Sequence, residues 1–182
     1  AEPVAAGWGP ARGWIRKDES ERVLLVSNTV YVNESGSVAR ALADSGFAAS
    51  KVLVLVDDLT LPFGSLRIRD NGSPGSHNGL KDIQTVWGRD YPRLRMGIGL
   101  GEEEIESVRP DGRSPHPPLS LGRGIRGEEW KDHVLARFDK GEEELLPAFL
   151  RDGGEAALDY FRRGLVKTRN TWNRRGLPKT ST

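Results

Sequence analysis

The apolar and polar positions of the first half of the chain alternate between strand-like and helical patterns. Residues 22–32 (RVLLVSNTVYV) are dense in β-branched residues and predict a strand with its exit. Residues 35–47 place Val38 and Leu42 at helical spacing. Residues 52–56 (VLVLV) are apolar on both faces, which is typical of a central strand covered by helices on two sides. This order of elements predicts an α/β fold.

The rest of the chain continues the alternation. Residues 66–69 (LRIR) alternate apolar and basic positions and predict a half-buried strand. A Gly/Ser/Pro loop at residues 70–76 leads into a helix with one apolar face, and residues 94–100 predict another strand. Residues 102–127 lack periodicity and indicate a surface insertion. Residues 1–14, rich in Ala, Gly and Pro, predict an irregular lead-in.

Length and charge indicate one domain with a basic end. The chain has 182 residues, with 27 basic and 26 acidic side chains. We predict a single domain over residues 1–166 and a basic extension at residues 167–182. The last 23 residues hold seven basic and no acidic residues, whereas 20 basic and 26 acidic residues precede them. Clustered basic side chains favour binding to phosphate groups because bound counterions are released. The alternative is that these basic side chains stabilise the C-terminus of a helix.

Composition also excludes several kinds of site. The chain has no Cys, which excludes disulfides, thiolate metal sites and a cysteine nucleophile. Three His residues leave little room for a metal centre, so we expect no metal and no cofactor. The apolar runs are far shorter than the roughly 20 residues that a membrane span needs, so we expect no span.

Five segments share their order and spacing with one known family. They are VYVNESG (30–36), VLVLVDDLTLPFG (52–64), GSPGSHNGLKDI (72–83), GRDYPRLRMGIG (88–99) and HVLARFDKGEEELL (133–146). Together they resemble bacterial-type peptidyl-tRNA hydrolase over about residues 8–149. Each segment alone is weak evidence, but five in the same order are specific. The resemblance implies a mixed, mostly parallel sheet between helices.

The resemblance also implies site residues. In that family a histidine activates the water that attacks the ester between peptide and tRNA, and an aspartate orients the histidine. Asp57 matches this aspartate, and Asn33 matches the asparagine that positions the ester carbonyl. Asn78 and the adjacent His77 match the substrate-contacting loop. The alternatives are structural roles, with Asp57 capping a turn and Asn33 bonding local backbone.

Two family segments are absent from the chain. The family opens with a strand ending in GLGNPG and continues to TRHN, whose histidine is the base, and neither motif occurs here. Asp57 and Asn33 are then catalytic remnants. We therefore predict a non-hydrolytic RNA-binding or structural protein, a component of an organellar (mitochondrial) ribosome located in the matrix, with the cytoplasm as the alternative location. One alternative is an active hydrolase whose N-terminal catalytic segment is absent from this chain. Another is a protein-interaction module that uses the substrate cleft of the family.

Six arginines are predicted to bind RNA phosphates, in tRNA or rRNA. The resemblance implies three on two strands, and the basic end of the chain supplies three more, because guanidinium forks match phosphate oxygens. They are Arg67, Arg69, Arg95, Arg169, Arg174 and Arg175. For the strand arginines, the alternative is an ordinary solvent-exposed face.

The absent first strand predicts a vacant sheet edge. In the family that strand lies beside the one that corresponds to residues 52–56. Its loss or remodelling leaves unpaired backbone groups next to apolar side chains, which attract other chains. We therefore predict that a protein partner covers the edge at residues 52–56. The alternatives are that residues 1–14 fill the gap in altered form or that a segment upstream of Ala1 does so.

Overall fold

The computed structural model describes residues 2–4, 11–17, 22–99, 137–138 and 140–173. The strands are β1 (Glu2–Val4), β2 (Ala11–Lys17), β3 (Arg22–Asn28), β4 (Val54–Pro62), β5 (Leu66–Arg69) and β6 (Arg93–Gly99). The helices are α1 (Ser35–Asp44), α2 (Asn78–Trp87) and α3 (Lys140–Trp172), and short 3-10 turns cover Val32–Glu34 and Ala49–Lys51. The predicted insertion at residues 102–127 lies outside the described residues.

The six strands form two three-stranded sheets. The first has the order β1-β2-β3 and is antiparallel; the second has the order β4-β6-β5, with β4 parallel and β5 antiparallel to β6. The prediction of an α/β fold with a mixed sheet is confirmed, with β4–β6 as the one parallel pair among the described strands. β6 is the central strand here, and the apolar run at residues 52–56, predicted to be central, leads into the outer strand β4.

The predicted irregular lead-in at residues 1–14 is wrong. β1 lies inside it, and β2 begins at Ala11 and pairs with β3 from Ala11 opposite Asn28 to Lys17 opposite Arg22. A segment rich in Gly and Pro has weak strand propensity of its own. Its strands are set by hydrogen bonding to β3, which local composition does not report.

The second sheet has a separate apolar core on each face. The core under α3 contains Leu53, Leu66, Ile68, Leu94, Phe149, Ala156 and Trp172. The opposite core, next to α1 and α2, contains Ala39, Val56, Leu80, Ile83 and Tyr91. Because strand side chains alternate between faces, Leu94 points toward α3 while its neighbours Arg93 and Arg95 point toward α2. The arginines of β6 are thereby directed to the side of the Gly/Ser loop.

The last helix covers one edge of the second sheet. α3 is interrupted by non-helical geometry at Gly164 and continues to Trp172, which is buried. Just beyond it, the Asn173 side chain accepts the Ile68 N–H at 2.7 Å and donates to the Ile68 carbonyl at 3.4 Å. The Asn173 side chain thus makes the two backbone hydrogen bonds at Ile68 that a strand beside β5 would make. Thr168 is also buried, so the predicted basic extension starts within a packed helix.

The outer edge of β4 has no strand partner among the described residues. The Val54 N–H donates to the Pro92 carbonyl at 3.0 Å. A parallel ladder bonds alternate residues of a strand, so the backbone groups of Leu55 and Asp57 face away from β6. The Leu55 side chain lies half exposed beside them. Among the residues that the structure describes, nothing pairs with this edge, and its covering by a partner stays a prediction.

Candidate active site

Two aspartates follow the apolar residues of β4 and point to opposite faces of the sheet. Asp57 pairs with Met96 and Asp58 with Gly97, and the register between β4 and β6 shifts after Asp58. Because successive strand residues alternate between faces, the Asp57 side chain is 43% exposed and that of Asp58 is 5% exposed. The end of the regular ladder therefore carries one accessible carboxylate and one buried carboxylate.

The accessible carboxylate is paired with the imidazole at the start of α2. His77 Nε2 lies 3.3 Å from Asp57 Oδ1, and His77 Nδ1 accepts the Leu80 N–H at 3.2 Å as the N-cap of the helix. A neutral imidazole that accepts at Nδ1 carries its proton on Nε2, so His77 donates to Asp57. This hydrogen bond is the main reason that the pKa of Asp57 is lowered, although burial opposes it. Asp57 is therefore ionised at neutral pH.

The same geometry defines what His77 does in this arrangement. Both of its ring nitrogens are engaged, one by the helix and one by Asp57. The ring therefore orients the carboxylate and offers no unoccupied lone pair to a substrate water. The other two histidines, His116 and His133, lie outside the described residues.

A close glycine contact brings the two predicted asparagines to one region. A Cβ on Gly79 would lie 2.8 Å from the Val32 carbonyl oxygen, so the first turn of α2 reaches the Val32–Glu34 turn because residue 79 has no side chain. Asn33 follows Val32 and Asn78 precedes Gly79, and both are exposed. Asn78 Oδ1 accepts from Lys81 Nζ at 3.2 Å, whereas no hydrogen bond of the Asn33 side chain occurs within the described ranges.

The buried carboxylate anchors the Gly/Ser loop through Arg95. Asp58 Oδ2 accepts from Arg95 Nη1 at 2.8 Å, and Asp58 Oδ1 accepts from the Thr60 N–H at 2.9 Å and the Thr60 hydroxyl at 2.7 Å. Arg95 Nη2 donates to the Ser73 carbonyl at 2.7 Å. Burial alone would raise the pKa of Asp58, but the bonds from Thr60 and Arg95 lower it below its ordinary value. Arg95, predicted to bind phosphate, has both terminal nitrogens in this internal network.

The other two strand arginines are available to solvent. Arg67 lies opposite Arg95 and Arg69 lies opposite Arg93 in the β5–β6 ladder, so all four point to one face of the sheet. Arg67 and Arg69 are exposed, and neither has a hydrogen bond or ion pair in the part of the chain that the structure describes. As far as the described residues go, this face carries two guanidinium groups without an ionic partner beside the anchored loop.

The structure also brings the basic end of α3 to β5. Asn173 bonds the backbone of Ile68, the residue between Arg67 and Arg69, and the Asn173 N–H donates to the Arg169 carbonyl at 3.1 Å. Arg169, which is exposed, therefore stands one helical turn from the contact with β5. Of the predicted cluster at the chain end, Arg174 and Arg175 lie outside the described residues.

Sequence reasoning did not single out Asp58 or Arg93. Strand alternation could have predicted the faces of these two residues, since it places Asp58 opposite to Asp57 and Arg93 on the same face as Arg95. It could not identify the partners, because Asp58 and Arg95 are 37 residues apart in the sequence.

Comparisons with known proteins agree with the resemblance found in the motifs. The sequence profile of the family described as peptidyl-tRNA hydrolase matches residues 10–110. A peptidyl-tRNA hydrolase of Porphyromonas gingivalis is 38% identical over 161 residues, which cover 87% of this chain and 74% of the relative. One of Fervidobacterium nodosum is 33% identical over 173 residues, which cover 93% of this chain and 81% of the relative. The chain belongs to the peptidyl-tRNA hydrolase family.

A solved structure agrees with the fold of this family member. The crystal structure of peptidyl-tRNA hydrolase from Acinetobacter baumannii matches with a TM-score of 0.71 at 22% identity, over 92% of this chain and 74% of that one. No helix in the described ranges is long and apolar enough to cross a membrane.

These relatives overturn the main functional prediction. A non-hydrolytic ribosomal component is the wrong interpretation, because proteins 31–38% identical over most of the chain are named as the hydrolase. The matches do not show that this chain is a degenerate family member, and they give no support to an organellar location. The findings favour the alternative stated with that prediction, an active hydrolase.

The ionised state of Asp58 generates a pH-dependent prediction. Its pKa is lower in the fold than in the unfolded chain, so the stabilisation is complete above the ordinary Asp pKa of about 3.9 and is lost as pH falls through the folded value. Asp58→Asn should lower the free energy of unfolding by about 2 kcal/mol at neutral pH. The difference from wild type should shrink below about pH 4 in urea unfolding curves.

Asp44→Asn is the matched control for this experiment. Asp44 is exposed and has no hydrogen bond or ion pair in the described part of the chain. Its replacement should change the unfolding free energy by less than about 0.5 kcal/mol. A gap between Asp58→Asn and wild type that stays constant from neutral to acid pH would contradict the role given to the Asp58 carboxylate.

Proposed function

We propose that this protein hydrolyses the ester that joins a peptide to tRNA. The observation that carries the proposal is the Asp57 carboxylate, which is ionised, half exposed and hydrogen-bonded to His77. The exposed Asn33 and Asn78 lie in one region because Gly79 lets the start of α2 contact the Val32–Glu34 turn. The names of the two bacterial relatives supply the substrate class. Support therefore comes from two directions, the geometry around Asp57 and the chemistry of the family.

Each residue has a chemical role in this proposal. In the family a histidine takes the proton of the attacking water; its TRHN motif does not occur in this sequence, and no described residue supplies that base. Asp57 would accept a hydrogen bond from the base and stabilise the positive charge that the base gains with the proton. The amide groups of Asn33 and Asn78 donate to the ester carbonyl oxygen as it becomes negative. His77 keeps Asp57 ionised and oriented, and it contacts substrate from the start of α2. No step requires a metal or cofactor.

Asp57→Asn is the first test of this assignment. The variant keeps the shape of the side chain and removes its charge, so kcat on a peptidyl-tRNA substrate should fall by about 10³-fold or more, with a small change in KM. Asp44→Asn, on the exposed end of α1, should retain wild-type turnover. Wild-type kcat in Asp57→Asn, or no ester hydrolysis by the unmodified chain, would contradict the proposal.

His77→Asn refines the same test through its pH dependence. Asparagine is a good N-cap, so α2 keeps its start while Asp57 loses its hydrogen-bond donor. Because that bond is the main cause of the lowered pKa of Asp57, the pKa should rise in the variant. The acidic limb of the kcat profile should then move to higher pH, since activity requires the ionised carboxylate.

We propose that tRNA phosphates bind along the basic edge made by β5 and the end of α3. Arg67 and Arg69 are exposed and unpaired among the described residues, and Arg169 stands one turn from the Asn173 contact with β5. Arg174 and Arg175 follow in the sequence and extend the cluster. Arg95 is excluded from this group, because both its terminal nitrogens bond protein atoms.

Salt dependence measures this contact directly. The double variant Arg67→Gln/Arg69→Gln should raise KM with kcat retained, and the slope of log KM against log salt should shrink by about 1.5 units if each arginine meets one phosphate. Arg40→Gln on α1 removes an exposed arginine away from β5 and should leave the slope unchanged. Truncation of the tail must begin after Asn173, since Trp172 and Asn173 are packed on the sheet. An unchanged slope in the double variant would contradict phosphate binding.

We also propose that a protein strand pairs with the open edge of β4. Leu55 is half exposed, and its backbone groups face away from β6. In the purified chain, the Leu55 amide should exchange with solvent at least about tenfold faster than the Val56 amide, whose ladder bond is made. An added peptide of alternating valine and threonine should slow the exchange at Leu55. Equal protection of both amides in the monomeric chain would contradict an open edge.

A further inference from the structure

Arg93 is a fully buried arginine without a carboxylate partner among the described residues. Its side chain has no solvent exposure. Nη1 donates to the Gly72 carbonyl at 3.2 Å and Nη2 to the Arg89 carbonyl at 2.8 Å, while the guanidinium carbon lies 4.0 Å from the centre of the Tyr91 ring. Nε has no hydrogen-bond partner within the described ranges. Removing a guanidinium from water costs several kcal/mol. In the part of the chain that the structure describes, no ion pair offsets this cost, although the charge of Asp90 favours the ionised guanidinium.

The contacts of Arg93 join the two ends of α2. Gly72 precedes the helix and Arg89 follows it, so one planar guanidinium fork bridges the segments that enter and leave α2. A lysine in this position is a point charge on a flexible stem and does not reproduce the fixed fork. The side chain therefore fixes the position of α2 from the interior of the fold.

Arg93 is one of three side chains that hold two successive loop carbonyls. Gln84 Nε2 also donates to the Gly72 carbonyl, at 3.0 Å, and Arg95 Nη2 donates to that of Ser73. Gly72 and Gly75 have φ of 144° and 58°, and a Cβ on either would meet nothing within 4 Å. These φ values favour glycine at both positions. The three donors hold the first part of the loop, and its last part is held by bonds from the Gly75 N–H to Ser73 Oγ and from the His77 N–H to the Pro74 carbonyl.

We propose that Arg93 is a positioning residue of the active site, which sets the distance between His77 and Asp57 through the Gly72 carbonyl. Arg95 is tied to the sheet by Asp58, whereas Arg93 binds only carbonyls and an aromatic ring, so its effect passes through the loop and α2. The predicted effect of Arg93 on turnover rests on the proposed hydrolase function. Its predicted effect on the position of the His77 ring does not depend on that function.

The test compares Arg93→Met and Arg93→Lys with Leu94→Ala in the full chain. Leu94 is equally buried on the neighbouring position of β6 but points to the α3 core, so its truncation lowers stability without touching the loop. Nitrogen NMR of the imidazoles, assigned with His77→Asn, reports the tautomer of His77. Wild type and Leu94→Ala should have the Nε2-protonated form with a hydrogen-bonded Nδ1.

Both Arg93 variants should mix the two His77 tautomers and lower kcat by about tenfold or more, because a small displacement of a positioned group is costly to catalysis. If Arg93→Met does not fold, the test of the positioning role uses Arg93→Lys and Gln84→Met. The Gln84→Met substitution removes the other donor to the Gly72 carbonyl. Wild-type tautomer and kcat in the folded variants would overturn the proposal. If the unmodified chain does not hydrolyse peptidyl-tRNA, the proposed function fails while the tautomer measurement still decides the role of Arg93.

Discussion

The parallel pairing of β4 with β6 is the contact on which the candidate active site depends. Its register sets Val54 opposite Arg93 and Val56 opposite Arg95, and it ends its regular part at Asp58. This alignment lets the Asp58 carboxylate reach Arg95 across the ladder. It also directs the donors of β6 to the loop that ends at His77. A shift by one residue would turn these side chains to the opposite face of the sheet.

Two glycines of β6 permit the close approach of the strands beyond the aspartates. A Cβ on Gly97 would collide with the Pro62 carbonyl oxygen, and one on Gly99 would collide with that of Leu59. β4 changes register in this region, and its backbone crosses the positions where side chains of β6 would stand. The GIG sequence in the motif at residues 88–99 thus has a packing function. It maintains the end of β4 on which Asp57 and Asp58 are placed.

The charges of the site act by fixing geometry more than by adding stability. A buried ion pair gains about as much from attraction as it loses in hydration, so Asp58 and Arg95 contribute little net free energy relative to an apolar pair. What they provide is a defined position for the Ser73 carbonyl. The exposed charges of Arg67 and Arg69 differ in this respect, because they have no partner in the described part of the chain. Their guanidinium groups can therefore bind an anion.

Local pattern was sufficient for the strands and helices between residues 22 and 99, whereas the roles of the site residues stay predictions. The alternation in LRIR correctly assigned Leu66 and Ile68 to the core and the arginines to the other face, and the family motifs pointed to Asp57 and His77, which the structure places 3.3 Å apart. Roles for Asn33 and Asn78 stay predictions. The strands at residues 2–4 and 11–17 were missed, because their hydrogen bonds are to each other and to β3 and leave no mark on composition.

The sequence by itself determined which residues are apolar, which face of a strand each side chain takes, and which family the motifs belong to, since these depend on neighbours a few positions apart. Only the tertiary structure decided that Arg95 binds Asp58 and Ser73 in the interior, that Arg93 bridges both ends of α2, and that Asn173 closes the edge of β5. These contacts join residues that are 4 to 105 positions apart in the sequence. The physical reason is that alternation fixes the direction of a donor, whereas the acceptor it meets is set by the packing of other elements.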